Sequence, residues 1–117
     1  MASPKTNPNF MNGVPELLIL KLIAKQEMYG YEVVQAIRLQ TEEAILLGEG
    51  VIYPVLHALE RDGALKSRRQ TVNGRRRIYY SITPEGQRRL SDLTSNWARL
   101  TKAIQTVIVG GQHAEAV

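Results

Sequence analysis

Four stretches of this chain repeat apolar residues at helical spacing, and one alternates them. In the first, residues 14–25, Leu17, Leu18, Ile19, Leu20, Leu22 and Ile23 leave almost no polar face. A helix apolar nearly all round must be covered on two sides. In so small a chain the second cover is expected from another subunit. Pro15 suits the first turn, where its missing N–H costs nothing. After a short break at residues 26–30, a second helix runs to about Leu39, with Val33, Val34 and Ile37 as its inner stripe. Residues 42–48 read as a connector, with a short extended piece at 45–47. A third helix begins between Gly48 and Val51 and ends by Asp62-Gly63, with Gly63 as a left-handed cap. Ile52, Val55, Leu56 and Leu59 share one face of it, so Tyr53, His57, Glu60 and Arg61 point away from the core. Pro54 fits a helix only near its start.

The alternating stretch runs from Leu65 to Thr83. Asn73-Gly74 is suited to a two-residue type I′ turn, because both positions need φ > 0. That turn sets the register: Val72 faces Arg75, Gln70 faces Arg77, Arg68 faces Tyr79, Lys66 faces Ser81 and Leu65 faces Ile82. One face then gathers Leu65, Ser67, Ile78, Tyr80 and Ile82, and the other Lys66, Arg68, Val72, Arg75, Arg77 and Tyr79. Thr83-Pro84 starts a fourth helix, N-capped by Thr83, which reaches Val109 and ends at Gly110-Gly111. Its apolar positions Leu90, Leu93, Trp97, Leu100, Ile104 and Val107 are spaced 3, 4, 3, 4, 3, a strict heptad seam.

The element order is therefore α-α-α-β-β-α. It predicts a mainly α protein with a small β-hairpin, a winged helix-turn-helix with a C-terminal dimerisation helix. The division is an N-terminal arm (1–13), a winged helix-turn-helix domain (14–83), a dimerisation helix (84–109) and a tail (110–117).

Composition narrows the function. With 117 residues, 44% hydrophobic and 22% charged, the chain is one globular domain. Eight of its fifteen Lys and Arg lie between Lys66 and Arg89, against one acid there, Glu85. That focusing favours a polyanionic partner. The absence of cysteine excludes disulfides, thiolate metal sites and cysteine catalysis. No apolar run could span a bilayer and the first residues do not resemble a signal peptide, so a cytoplasmic protein without a membrane partner is expected. His57 and His113 have no paired acid or nucleophile at a telling spacing, and no phosphate loop or metal cluster is present. Neither an enzyme nor a cofactor or metal is expected.

A helix pair followed by a basic hairpin places its second helix in the major groove and its wing on the backbone. Tyr53 and His57 are the candidates on the helix to meet bases or flanking phosphates. The alternatives are that Tyr53 packs on the connector of helix two and that His57 is an idle surface residue. On the wing, Lys66, Arg68, Asn73, Gly74, Arg75, Arg76 and Arg77 are the candidate DNA contacts. Guarding a strand edge needs only one or two charges, and six cations stand between residues 65 and 77. Arg69 has inward parity and is expected to bend around the sheet rim. Trp97 either belongs to the core or lines an inter-subunit pocket for a planar apolar ligand. The heptad seam and helix one together predict a homodimer, and a two-fold dimer predicts a palindromic double-stranded operator. A winged helix serving as an interaction module for an acidic protein partner is the alternative.

Three segments, MYGYEV (28–33), VIYPVLHALERDG (51–63) and RRRIYYSITPEG (75–86), resemble the PadR family of transcriptional regulators. The single C-terminal helix is similar to that of its short subfamily. The resemblance implies a homodimeric winged-helix repressor in which helix four packs against the partner's helix one. It implies DNA contact by Tyr53 and by the wing from Asn73 to Arg77. It also adds Tyr31, beside Gly30, as a lesser DNA candidate, and Trp97 as a residue for a planar aromatic effector. Three positions depart from the family pattern: Val51 for a Thr, Gly48 for an Asn or Ser N-cap, and Thr101 for an acid one turn beyond Trp97.

Overall fold

The computed structural model describes residues 13–110; the arm, most of the tail and His113 lie outside the described residues. The elements are α1 (Val14–Lys25), β1 (Met28–Tyr29), α2 (Gly30–Gln40), α3 (Glu49–Arg61), β2 (Leu65–Val72), β3 (Arg75–Ile82) and α4 (Pro84–Val109). The three strands form one antiparallel sheet in the order β1-β3-β2. This is the expected winged-helix arrangement, enlarged by the two-residue strand β1.

The hairpin register is the one the Asn-Gly turn requires. Leu65 pairs with Ile82, Lys66 with Ser81, Arg68 with Tyr79, Gln70 with Arg77 and Val72 with Arg75. Asn73 and Gly74 have φ of 52° and 77°, the two left-handed residues of a type I′ turn. The third strand occupies what reads from sequence as a plain break. Met28 pairs with Tyr80 and Tyr29 with Tyr79. Two residues are too few to alternate visibly, and β1 exists because β3 offers it an edge. The extended piece expected at residues 45–47 does not form a strand. The segment is irregular, with Ile45 N–H donating to Thr41 Oγ1 at 3.1 Å.

The core gathers Ile19, Leu20, Ile23, Val33, Ile37, Ile52, Leu56 and Leu59, all essentially sealed from solvent. Helix α1 packs against α2, α3, α4 and β3 of its own chain. Most of the second cover expected from a partner is thus supplied internally, while Leu17 and Leu18 remain half-buried. Pro54 stands in the second turn of α3 rather than the first. The residue four before it is Gly50, whose carbonyl the proline cannot satisfy, and Gly50 is exposed to water.

A Schellman turn launches the wing from α3. Gly63, at φ 84°, donates its N–H to Glu60 O at 3.0 Å, and Ala64 donates to Leu59 O at 2.9 Å. Ala64 and Leu59 are both buried, supplying the apolar contact of that motif. The start of α4 locks onto the same turn. Thr83 N–H donates to Ala64 O at 3.1 Å, and Thr83 Oγ1 accepts from Gly86 N–H at 3.0 Å.

The heptad seam of α4 divides between two duties. Leu90 is buried in the chain's own core and Leu93 and Trp97 are half-buried. Beyond them Leu100, Ile104 and Val107 are 43%, 41% and 79% exposed, joined by Ile108 and Val109.

A Cβ at Gly86 would collide with the Ala64 carbonyl oxygen and lie 2.7 Å from Ile82 Cγ1. Backbone at that junction has no freedom to yield, so Gly86→Ala should destabilise the fold by about 1–3 kcal/mol. Gly50→Ala, which meets nothing within 4 Å, should hold or raise stability. Urea unfolding of the two variants checks the contrast.

Candidate nucleic-acid interface

The wing and α3 enclose a cleft of about 560 Å³. One wall is α3, which contributes Glu49, Tyr53 and His57, spaced four residues apart along a single face. The opposite wall is β3, with Arg75, Arg76, Arg77, Ile78 and Tyr80. Tyr29, Gly30 and Tyr31 close the end. The arrangement sets hydrogen-bonding aromatic and imidazole groups against guanidinium groups across an open gap. Such a gap suits a polyanion with readable edges.

Tyr53 packs within its own chain and also borders the cleft. Its ring is half-buried against the start of α2, and it also lines the cleft. A Cβ at Gly30 would overlap that ring, 2.5 Å from Cζ. Only glycine lets the helix start approach so closely. Burial raises the pKa of the Tyr53 phenol, and the Glu49 carboxylate adds to the rise. The group therefore stays a protonated hydrogen-bond donor at neutral pH. His57 lies beside it, exposed, with ring centroids 6.4 Å apart. Tyr31 is 49% exposed at the cleft end.

The wing cations separate into two groups. Arg75, Arg76 and Arg77 line the cleft, and Asn73 and Gly74 are exposed at the tip. Lys66 and Arg68 are exposed near the hairpin base and line no part of the cleft. Arg69 pairs with Ile78 and is exposed.

Arg68 is not an uncompensated cation. Its Nε and Nη2 donate to Glu27 Oε2 and Oε1 at 2.6 and 2.7 Å, a bidentate pair. The guanidinium holds the Glu27 carboxyl below its usual range. Arg68 also lies 5.0 Å over the Tyr79 ring, and Tyr79 meets Tyr29 edge-on at 5.4 Å. Arg77 completes the series 4.4 Å over Tyr29. Cation, ring, ring and cation thus bind the wing to β1, and Tyr29 and Arg77 of the series also line the cleft. Glu27 and Tyr29 escaped the sequence reading. The pairing of Glu27 with Arg68 joins residues 41 positions apart, and only the strand between them brings the two together.

Below the wing, a shallow groove of about 160 Å³ runs between α1 and α4, lined by Val14, Leu17, Leu93, Trp97 and Leu100 among others. Among the described residues no group of His, Cys, Asp or Glu could hold a metal, and no helix is long and apolar enough to cross a membrane.

A family model described as the transcriptional regulator PadR-like family matches residues 19–92, from the core of α1 through the wing to the first third of α4. The chain belongs to the PadR-like family. It is accordingly a DNA-binding transcriptional regulator, and the family is one of regulators rather than enzymes. A transcriptional regulator of Mycobacterium tuberculosis is 32% identical over 104 residues, covering 89% of this chain and 92% of that protein. Among solved structures, a transcriptional regulator from Clostridium thermocellum superposes with a TM-score of 0.77 at 32% identity, covering 82% of this chain and 94% of the other. A PadR family transcription regulator from Clostridium difficile gives 0.71 at 30%, covering 82% and 99%.

The contact between Gly30 and Tyr53 is testable apart from stability. In Gly30→Ala the ring of Tyr53, the free end of a side chain, must swing away into the cleft. Affinity for a specific DNA site should fall at least about tenfold while the urea midpoint changes little. Fluorescence anisotropy beside an unfolding curve separates the two effects.

Proposed function

We propose that this PadR-like regulator is a homodimeric repressor of the short, single-helix subfamily, acting in the cytoplasm on a palindromic double-stranded operator. The observation that carries the reading is the cleft, with Tyr53 and His57 on the helix wall and Arg75, Arg76 and Arg77 on the wing wall. In this reading α3 lies in the major groove. Tyr53 and His57 meet base edges or the phosphates flanking them. Arg75, Arg76, Arg77 and the exposed tip at Asn73-Gly74 hold the backbone, with Tyr31 as a contact at the cleft end. Lys66 adds charge at the hairpin base. Arg68, bound by Glu27 and Tyr79, acts mainly by fixing where the wing stands.

Dimerisation is supported by the unspent half of the seam. Leu100, Ile104 and Val107, with Ile108 and Val109 beside them, form an exposed apolar stripe of the kind that marks an interaction surface. A second copy related by a two-fold axis covers it, using Leu93 and Trp97 at its inner end and Leu90 as the anchor to each chain's core. The half-buried Leu17 of α1 borders the same surface. Two recognition helices then stand at a fixed separation, which matches a palindrome.

Release from the operator is assigned to a planar aromatic ligand at Trp97. The groove beside Trp97 has an apolar lining, and its 160 Å³ is too small for a drug-sized molecule within one chain. In the proposed dimer the partner's α4 would close it and enlarge it. Thr101, whose hydroxyl donates to Trp97 O at 2.9 Å, stands where an acid would select a cation, so neutral ligands are favoured.

Two measurements bear on this reading. Arg75→Ala should weaken binding to all duplexes and flatten the logarithmic salt dependence by about one unit. Tyr53→Ala should lower the ratio of specific to random binding; undiminished affinity in both variants contradicts the contacts. For the effector, Trp97 fluorescence is titrated with neutral planar aromatic compounds, with and without operator. Quenching with loss of operator binding is expected, and no response across the panel returns Trp97 to a packing role.

A further inference from the structure

The α3 wall of the cleft begins with an acid. Glu49 is the first residue of the helix, exposed, and shares one face with Tyr53 and His57. Several acids elsewhere are engaged: Glu16 and Asp62 hold Arg89, and Glu27 holds Arg68. Among the described residues Glu49 has no ion-pair or hydrogen-bond partner, although Arg75, Arg76 and Arg77 line the same cleft. A carboxylate there repels phosphate, so it cannot serve backbone affinity. The first turn of a recognition helix is the part that reaches base edges, and the groove offers a carboxylate two donors, adenine N6 and cytosine N4. Adenine N6 lies beside the N7 acceptor, whose lone pair opposes the second carboxylate oxygen. Cytosine N4 lies beside C5–H and presents no such acceptor.

We propose that Glu49 determines base preference by accepting a hydrogen bond from the N4 amino group of a cytosine in each half-site. The proposal rests on the DNA-binding reading and adds the chemistry of one base. It makes Glu49 a discriminating residue that costs affinity for non-matching DNA, in contrast to the wing arginines, which bind any sequence.

The test selects bound sequences from a pool of random duplexes with the full-length protein and with Glu49→Ala and Glu49→Gln. Affinity for a single random duplex is measured alongside, and circular dichroism checks folding. The unmodified protein should enrich a palindrome with a fixed cytosine at one position of each half-site. Glu49→Ala should lose that preference by about tenfold or more while the other positions keep theirs. It should bind random duplex at least as tightly as the parent. Glu49→Gln, which can accept and donate, should shift the position toward adenine. An unchanged motif in either variant, or a loss spread evenly over all positions, overturns the assignment of Glu49. If the unmodified protein enriches no sequence, the DNA-reading function fails and this assignment with it.

Discussion

The geometry of the cleft depends on two backbone pairings, Met28 with Tyr80 and Tyr29 with Tyr79. A two-stranded hairpin of eight-residue strands has little stability of its own. Joined to β1, its strand β3 becomes the middle of a three-stranded sheet whose outer strand β1 is continuous with α2. The wing therefore cannot move without moving the start of α2, and α2 in turn seats Tyr53 through Gly30. The bidentate pair of Glu27 with Arg68 and the edge-on contact of Tyr29 with Tyr79 reinforce the same join. Exposed ion pairs contribute little to stability individually; here their effect is directional, fixing one angle between wing and helix.

This construction explains why a cluster of six cations behaves as two populations. Guanidinium groups facing the cleft, from Arg75 to Arg77, have room for phosphate. Arg68 has already exchanged water for a carboxylate, and moving it to DNA would strand Glu27 beside a polyanion. Affinity and positioning are thus carried by the same strand pair, with Arg68 held at the hairpin base and Arg75 and Arg76 at its tip, while Arg77 lines the cleft and also stacks over Tyr29.

Much of the architecture was legible because its signals were local. The Asn-Gly turn set the hairpin register residue by residue, Thr83-Pro84 set the start of α4, and Gly63 set the end of α3. β1 was not legible, because a two-residue strand has no pattern and is induced by a neighbour distant in sequence. The same holds for Glu27 on Arg68. The 3-4 spacing of α4 marks one apolar stripe, but spacing alone does not say whose core it enters: Leu90 packs at home while Leu100, Ile104 and Val107 face outward. Tyr53 was posed as either packing on the connector of helix two or meeting DNA. A side chain that large can rest its ring on Gly30 and still border the cleft, so the alternatives were never exclusive.

The most direct test of a two-fold DNA reader with paired wings is hydroxyl-radical footprinting on the duplex selected by the protein. The account predicts two equivalent protected tracts related by the palindrome's axis, about one helical turn or a multiple of it apart, with outer protections that vanish when Arg75 and Arg76 are both replaced by alanine. A single unsymmetrical tract, or a footprint that the double replacement leaves intact, would contradict it.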